Sequence, residues 1–200
     1  MQEIQARYEF RAFAQNFGLA EEKMRKLAKF EKFRESSEIY ILSAANKENN
    51  IKIRHDTLDV KVLVKEELGL QQWQPRMKTE FPIKVAVIRD EIIAALGVGV
   101  PEFARSEYTL DQYLEEIIQP HPELAIARVL KRRFGYTMKG CIGEIAELLI
   151  NGAAIKTISI ESVDVGAVLQ TKEILGLQEY ENVSYLLVIK RILGMAPLPE

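Results

Sequence analysis

The stretch Glu3-Ile4-Gln5-Ala6-Arg7-Tyr8-Glu9-Phe10-Arg11 alternates polar and apolar residues without a break. In a β-strand successive side chains point to opposite faces, so Glu3, Gln5, Arg7, Glu9 and Arg11 share one face. Ile4, Ala6, Tyr8 and Phe10 share the other. The polar face carries both signs of charge at close spacing, as a site holding a metal ion and an anion together requires. A half-buried strand with a solvated face gives the same pattern, and this stretch alone leaves both readings open.

The pattern recurs along the chain. Asn50, Lys52 and Arg54 oppose Ile51 and Ile53, and Lys61 and Lys65 oppose Val60, Val62 and Val64. Gln74, Arg76, Lys78 and Glu80 form one line, Lys131 and Arg133 stand two apart, and Thr157, Ser159 and Glu161 oppose Ile158 and Ile160. Most strands thus offer an apolar face that can pack on helices and a face bearing basic groups with a few carboxylates. In an open sheet that second face is merely solvated. In a closed barrel the cations converge, and burying them unpaired costs several kcal/mol per ion. A closed basic interior therefore implies a polyanion, or water and counterions. Arginine and lysine from several strands grip phosphate oxygens, arginine bidentately. Carboxylates in the same cavity suit a hard divalent cation, Mg²⁺ or Mn²⁺.

The remaining elements supply the strands and helices such a barrel needs. Helical spacing runs from Gly18 to about Phe33, through Leu19, Met24, Leu27 and Phe30. Glu38–Ala44, Ile51–Arg54, Thr57–Lys65 and Gln72–Phe81 read as strands, the last stopped by Pro82. Helical periodicity returns at Lys84–Leu96 and Leu110–Gln119, and Gly97–Thr109 is the least structured stretch. Leu124–Met138, Cys141–Ile150 and Ile155–Glu161 read as strands, the last two joined by an Asn151-Gly152 hairpin turn. Helices at Val165–Leu175 and Asn182–Leu193 follow. The count is roughly eight strands joined by hairpin-length connections, enough for an antiparallel sheet to close. We therefore expect an α+β protein built as one domain over residues 1–200. Its centre is an eight-stranded antiparallel β tunnel, a closed or nearly closed barrel, with flanking helices.

Two hundred residues, 48% hydrophobic and 28% charged with a net charge of −2, fit an ordinary globular chain. The near-neutral balance argues against broad nucleic-acid binding, and no stable nucleic-acid partner is expected. No apolar run approaches the roughly 20 residues that span a bilayer, so no membrane association is expected either. There is no secretory pattern, and Cys141 is the single cysteine, which implies a cytoplasmic protein without an internal disulfide. His55 and His121 sit in no zinc-ligand pattern. Gly97-Val98-Gly99 fits no phosphate-loop fingerprint. Apolar outer faces left uncovered by helices would support a homodimer.

In this order, these residues resemble the CYTH domain, the triphosphate tunnel metalloenzyme superfamily. Glu3-Ile4-Gln5-Ala6-Arg7 looks like its first-strand Glu-x-Glu-x-Lys motif, and Arg7-Tyr8-Glu9-Phe10-Arg11 offers an alternative register. Ile51–Arg54 resembles the Arg-x-Arg strand, Lys61–Lys65 the strand ending in lysine, and Arg76–Glu80 the Arg-x-Glu-x-Glu strand. Val129–Arg133 resembles the Lys-x-Arg strand, and Ile158–Asp164 the last acidic strand. The departures are Gln5, Arg7, Lys78 and Ser159, three of which stand where the family carries acids.

The resemblance implies an eight-stranded tunnel and hydrolysis of phosphoric anhydrides, with Mg²⁺ or Mn²⁺ as cofactor and a triphosphate-containing small molecule as substrate. It implies phosphate binding by Arg7, Arg11, Lys52, Arg54, Lys61, Lys65, Arg76, Lys78, Lys131 and Arg133. Metal ligands would be Glu3 and Glu161, which also carry the catalytic role, with one or more of Glu9, Glu80 and Glu144. In-line attack by a metal-oriented water needs no covalent nucleophile. The rival readings are a noncatalytic polyphosphate- or nucleotide-binding module with an eroded metal site, and an adenylyl cyclase of the same superfamily.

Overall fold

A computed structural model describes residues 6–198. Its strands are β1 (Tyr8–Ala14), β2 (Lys29–Ser43), β3 (Asn49–Arg54), β4 (Thr57–Glu67), β5 (Leu70–Glu80), β6 (Ile83–Lys84), β7 (Glu107–Tyr108), β8 (Leu124–Met138), β9 (Cys141–Ile150) and β10 (Ala153–Ser162). Eight of them close into one antiparallel barrel in the order β1-β10-β9-β8-β2-β3-β4-β5, while β6 and β7 pair separately. Helices over Leu19–Leu27, residues 85–96, residues 110–118, Val165–Leu175 and Tyr185–Ile192 complete the described chain. The architecture is the α+β barrel expected from the alternating strands.

The chain divides into two compact units. The first contains the residues up to Ser36 together with Leu63–Gln74 and Leu130–Ser184. Phe10 and Ala12 of β1, Ile145 of β9, and Ile158 and Ile160 of β10 are buried there with Met24, Val168 and Leu175 of two helices. A Cβ added at Gly143 would lie 3.3 Å from the Met24 side chain, so β9 and the Leu19–Leu27 helix pack closely at that point. The second unit contains Ser37–Val62, Pro75–Val129 and the residues from Tyr185. There Ile51, Ile53, Leu58 and Val60 pack against Ile88, Ile92 and Ile93 of the 85–96 helix and Tyr113 and Ile117 of the 110–118 helix. In both units the helices cover the apolar side of the strands. The alternating polar side is left as the inner wall of the barrel.

The turn between β9 and β10 has Asn151 at φ 47° and Gly152 at φ 90°. Two central residues at positive φ are what a two-residue hairpin of this twist requires. Ile150 is accordingly the register partner of Ala153.

Several boundaries differ from the sequence reading: the last helix, expected from Asn182, begins at Tyr185, and β5, expected from Gln72, begins at Leu70. The helix expected to reach Phe33 stops at Leu27, and residues from Lys29 belong to the fifteen-residue strand β2. Apolar residues every third position suggest a helix, but Phe30 and Phe33 are claimed by aromatic partners on β8. Phe30 meets Tyr136 at 5.7 Å between ring centroids, and Phe33 meets Phe134 at 5.1 Å. Such aromatic pairs add about 1 kcal/mol beyond their burial, enough to override a weak helical preference. Among the described residues no helix is long and apolar enough to cross a membrane.

Candidate functional site

In the first unit the register of three neighbouring strands assembles one charged cluster. Glu9 is paired with Glu161, Arg11 with Ser159, and Ser159 in turn with Glu144. The alternating side chains of β1, β10 and β9 therefore bring three carboxylates and Arg11 onto one wall. Arg11 is its hub. Nε donates to Glu9 at 2.6 Å, and Nη1 lies 3.8 Å from Glu144 and donates to Thr157 at 3.4 Å. Its backbone N–H donates to the Asn182 side chain at 2.8 Å. Glu144 also faces Arg34 at 3.6 Å, and Glu161 accepts from Arg7 at 3.4 Å.

Glu9, Glu144 and Glu161 are hard oxygen donors of the kind that Mg²⁺ or Mn²⁺ binds. As they stand, each faces an arginine. No group of three carboxylate, histidine or cysteine side chains among the described residues is set to hold a metal ion. The donor chemistry fits a divalent cation, provided the arginines turn to another anion. Glu3 and Gln5 lie outside the described residues. Of the two first-strand registers, the one beginning at Arg7 is described, and its Glu9 joins this cluster.

Two predicted phosphate ligands share the same unit and lie on the inner face of β8. Lys131 is buried. Arg133 donates to Ser36 at 3.2 Å, and its Nε is buried without a hydrogen-bond partner among the described residues. Lys65 is drawn elsewhere. It pairs with Glu67 at 2.7 Å and lies over the Tyr8 ring, on the opposite side of β1 from Glu9 and Arg11.

The second unit holds a separate cluster centred on Glu38, whose residue is fully buried at 0% exposure. Lys52 Nζ lies 3.5 Å and Arg54 Nη1 3.6 Å from its carboxylate, and the Tyr40 hydroxyl donates to it at 3.0 Å. Tyr40 is the register partner of Lys52. Lys61 is exposed opposite Asn50. Arg76 pairs with Glu91 of the 85–96 helix at 3.2 Å, while Lys78 and Glu80 are exposed on β5. The sequence reading missed Glu38. The signal was present, because alternation from Glu38 through Tyr40 puts both on the face opposite Ile39 and Ile41. It also gave no site role to Arg34, which it assigned to no element, or to Asn182, which it placed at the start of the last helix.

No protein-family model matches the chain, and no curated protein matches it. Solved structures do. The PH1012 protein of Pyrococcus horikoshii is 16% identical, with a TM-score of 0.52 over 90% of this chain and 97% of its own. A conserved hypothetical protein of Pyrococcus furiosus gives 16% identity and a TM-score of 0.51 over 90% and 98%. HpAC1 of Hippeastrum, a candidate adenylyl cyclase with a dominant triphosphatase activity, is 14% identical, with a TM-score of 0.52 over 96% and 98%. The chain shares the fold of these structures, a closed eight-stranded antiparallel barrel with flanking helices, as the resemblance to CYTH domains implies.

Proposed function

We propose that the protein is a divalent-metal-dependent phosphohydrolase that cleaves a phosphoric anhydride bond of a triphosphate or related polyphosphorylated small molecule. The observation that carries this reading is the cluster of Glu9, Glu144 and Glu161 on three adjacent strands, each paired with an arginine of the same wall. Arginine–carboxylate pairs of this kind can exchange partners. With substrate present, Arg7 and Arg11 would turn from the carboxylates to phosphate oxygens, and Glu9, Glu144 and Glu161, with Glu3, would hold the cation. Mg²⁺ or Mn²⁺ held there would supply positive charge that offsets the charge developing at the reacting phosphorus.

The chain's own residues do the rest. The unpartnered Nε of Arg133 and the buried Lys131 support phosphate binding in the first unit. Lys52, Arg54 and Lys61 supply the same donor chemistry in the second, and Lys65, Arg76 and Lys78 complete the set implied by resemblance. Glu161 and Glu3 orient the attacking water. Its oxygen bonds to the terminal phosphorus as the anhydride P–O bond breaks, and its proton passes to a carboxylate of the cluster. Phosphoryl transfer needs little beyond such positioning and charge neutralisation.

A second reading, a polyphosphate-binding module without turnover, is favoured by one observation. No metal-ready group of three exists among the described residues. Phosphate release from inorganic triphosphate, thiamine triphosphate and nucleoside triphosphates with Mg²⁺ or Mn²⁺ separates the two. The enzyme reading expects release that Glu161→Gln abolishes. Tight binding without release would establish the module, and conversion of ATP to its cyclic monophosphate would establish a cyclase.

A further inference from the structure

We infer that Glu38 is a positioning residue for anion binding, fixing both the place and the charge of the Lys52–Arg54 pair. The inference rests on the phosphate-binding role proposed for that pair and adds a residue that does not itself touch phosphate. Three observations carry it. Glu38 is at 0% exposure, yet it lies within 3.5 Å of one cation and 3.6 Å of another. The Tyr40 hydroxyl donates to it at 3.0 Å, and Tyr40 is itself stacked on Tyr185 with centroids 6.0 Å apart. The two cations remain partly open, Lys52 at 16% and Arg54 at 34% side-chain exposure. A carboxylate sealed beneath two partly open cations is an anchor. It satisfies their inward side and leaves their remaining donors for another anion.

The charge of Lys52 depends on this anchor. Burial pushes its amine below the ordinary lysine range and the neighbouring Arg54 and Lys61 reinforce that shift, while Glu38 opposes it, with a smaller opposing effect from Asp59 on β4. The groups facing Lys52 are thus Glu38 and Tyr40 from β2, Arg54 from β3, and Asp59 and Lys61 from β4. Asp59, although the direct register partner of Lys52, is not its main counterion. Replacing Glu38 by the isosteric amide leaves burial and two repulsive cations without their principal opponent. Lys52 then loses its proton at lower pH.

The test follows the Lys52 side chain by NMR in the full chain with ¹³C-labelled lysine, assigned by Lys52→Arg, alongside calorimetric binding of inorganic triphosphate across pH. In Glu38→Gln the Lys52 titration shifts to lower pH than in the unmodified protein. Where Lys52 is neutral in the variant only, triphosphate binds about tenfold more weakly, the loss of one charge-assisted hydrogen bond. Adding Lys52→Arg restores alkaline binding, because a guanidinium keeps its charge. Identical Lys52 titrations in both proteins would overturn the inference. If Glu38→Gln does not fold, Lys52→Arg in the unmodified background decides. It must extend triphosphate binding to higher pH, and an unchanged profile refutes the inference. A protein that binds no triphosphate at any pH refutes the phosphate-binding role instead, and the Lys52 titration then tests the effect of Glu38 on its own.

Discussion

Ser159 lies directly opposite Glu144 across the β9–β10 pair, and Arg11, its register partner on β1, reaches past it to the Glu144 carboxylate at 3.8 Å. Glu144 thus sets a carboxylate one strand away from Ser159, the position at which the resemblance implies an acid. We expect Glu144→Gln to raise the Mg²⁺ concentration for half-maximal phosphate release about tenfold, since one of few charged ligands is lost. Ser159→Glu in the same background should recover most of that loss, because its carboxylate would meet the Arg11 guanidinium. A metal titration of turnover in the natural chain and the two variants checks both expectations, and unchanged metal dependence in Glu144→Gln removes Glu144 from the ligand set.

Arg11 also stabilises the fold. It is 9% exposed and balances Glu9 and Glu144 on a wall shielded by Phe10 and Ala12 on the other side. Replacing it with methionine strands partly buried carboxylates, so urea denaturation should show a loss of about 3 kcal/mol. Arg11→Lys should fall between, as an ammonium cannot serve Glu9, Glu144 and Thr157 from one rigid fork.

Asn182 fastens the chain segment before the last helix to β1 and to the β4–β5 turn. It accepts from Arg11 N–H at 2.8 Å and donates to the Gly69 carbonyl at 2.8 Å. Asn182→Ala leaves those backbone groups unpaired and should cost about 2 kcal/mol in the same assay. A cost near zero would mean that water replaces both bonds.

Glu21 gives the acid side of stability. Burial alone would raise its carboxyl pKa, but hydrogen bonds from Lys156 and Arg25 outweigh that and hold it below the usual 4.5. A carboxyl lowered in the folded state stabilises at pH above its unfolded value. That contribution is lost as pH falls through the lowered one. Stability against urea should therefore decline below about pH 4.5 more steeply in the natural chain than in Glu21→Gln, which is less stable at neutral pH. Parallel acid profiles would show that the Lys156 and Arg25 contacts carry no net stabilisation.

The barrel was legible in the sequence because period-two alternation is a backbone property, readable at each strand separately. Cys141–Ile150 and the Asn151-Gly152 turn follow from local chemistry alone, and the structure reproduces both. The site was less legible because its contacts are set by register between strands. Nothing local says that Glu144 faces Arg11 across Ser159, or that Glu38 sits beneath Lys52 and Arg54. The long reach of basic side chains adds a second obscurity. Lys65 and Arg76 fit the alternation of their strands, yet they turn to Glu67 and Glu91.

Orthophosphate release from inorganic triphosphate, followed with and without added Mg²⁺ or Mn²⁺, tests the central claim most directly. The account predicts release that requires the metal, stops on chelation and is abolished by Glu161→Gln. Tight triphosphate binding with no release under any metal would contradict it.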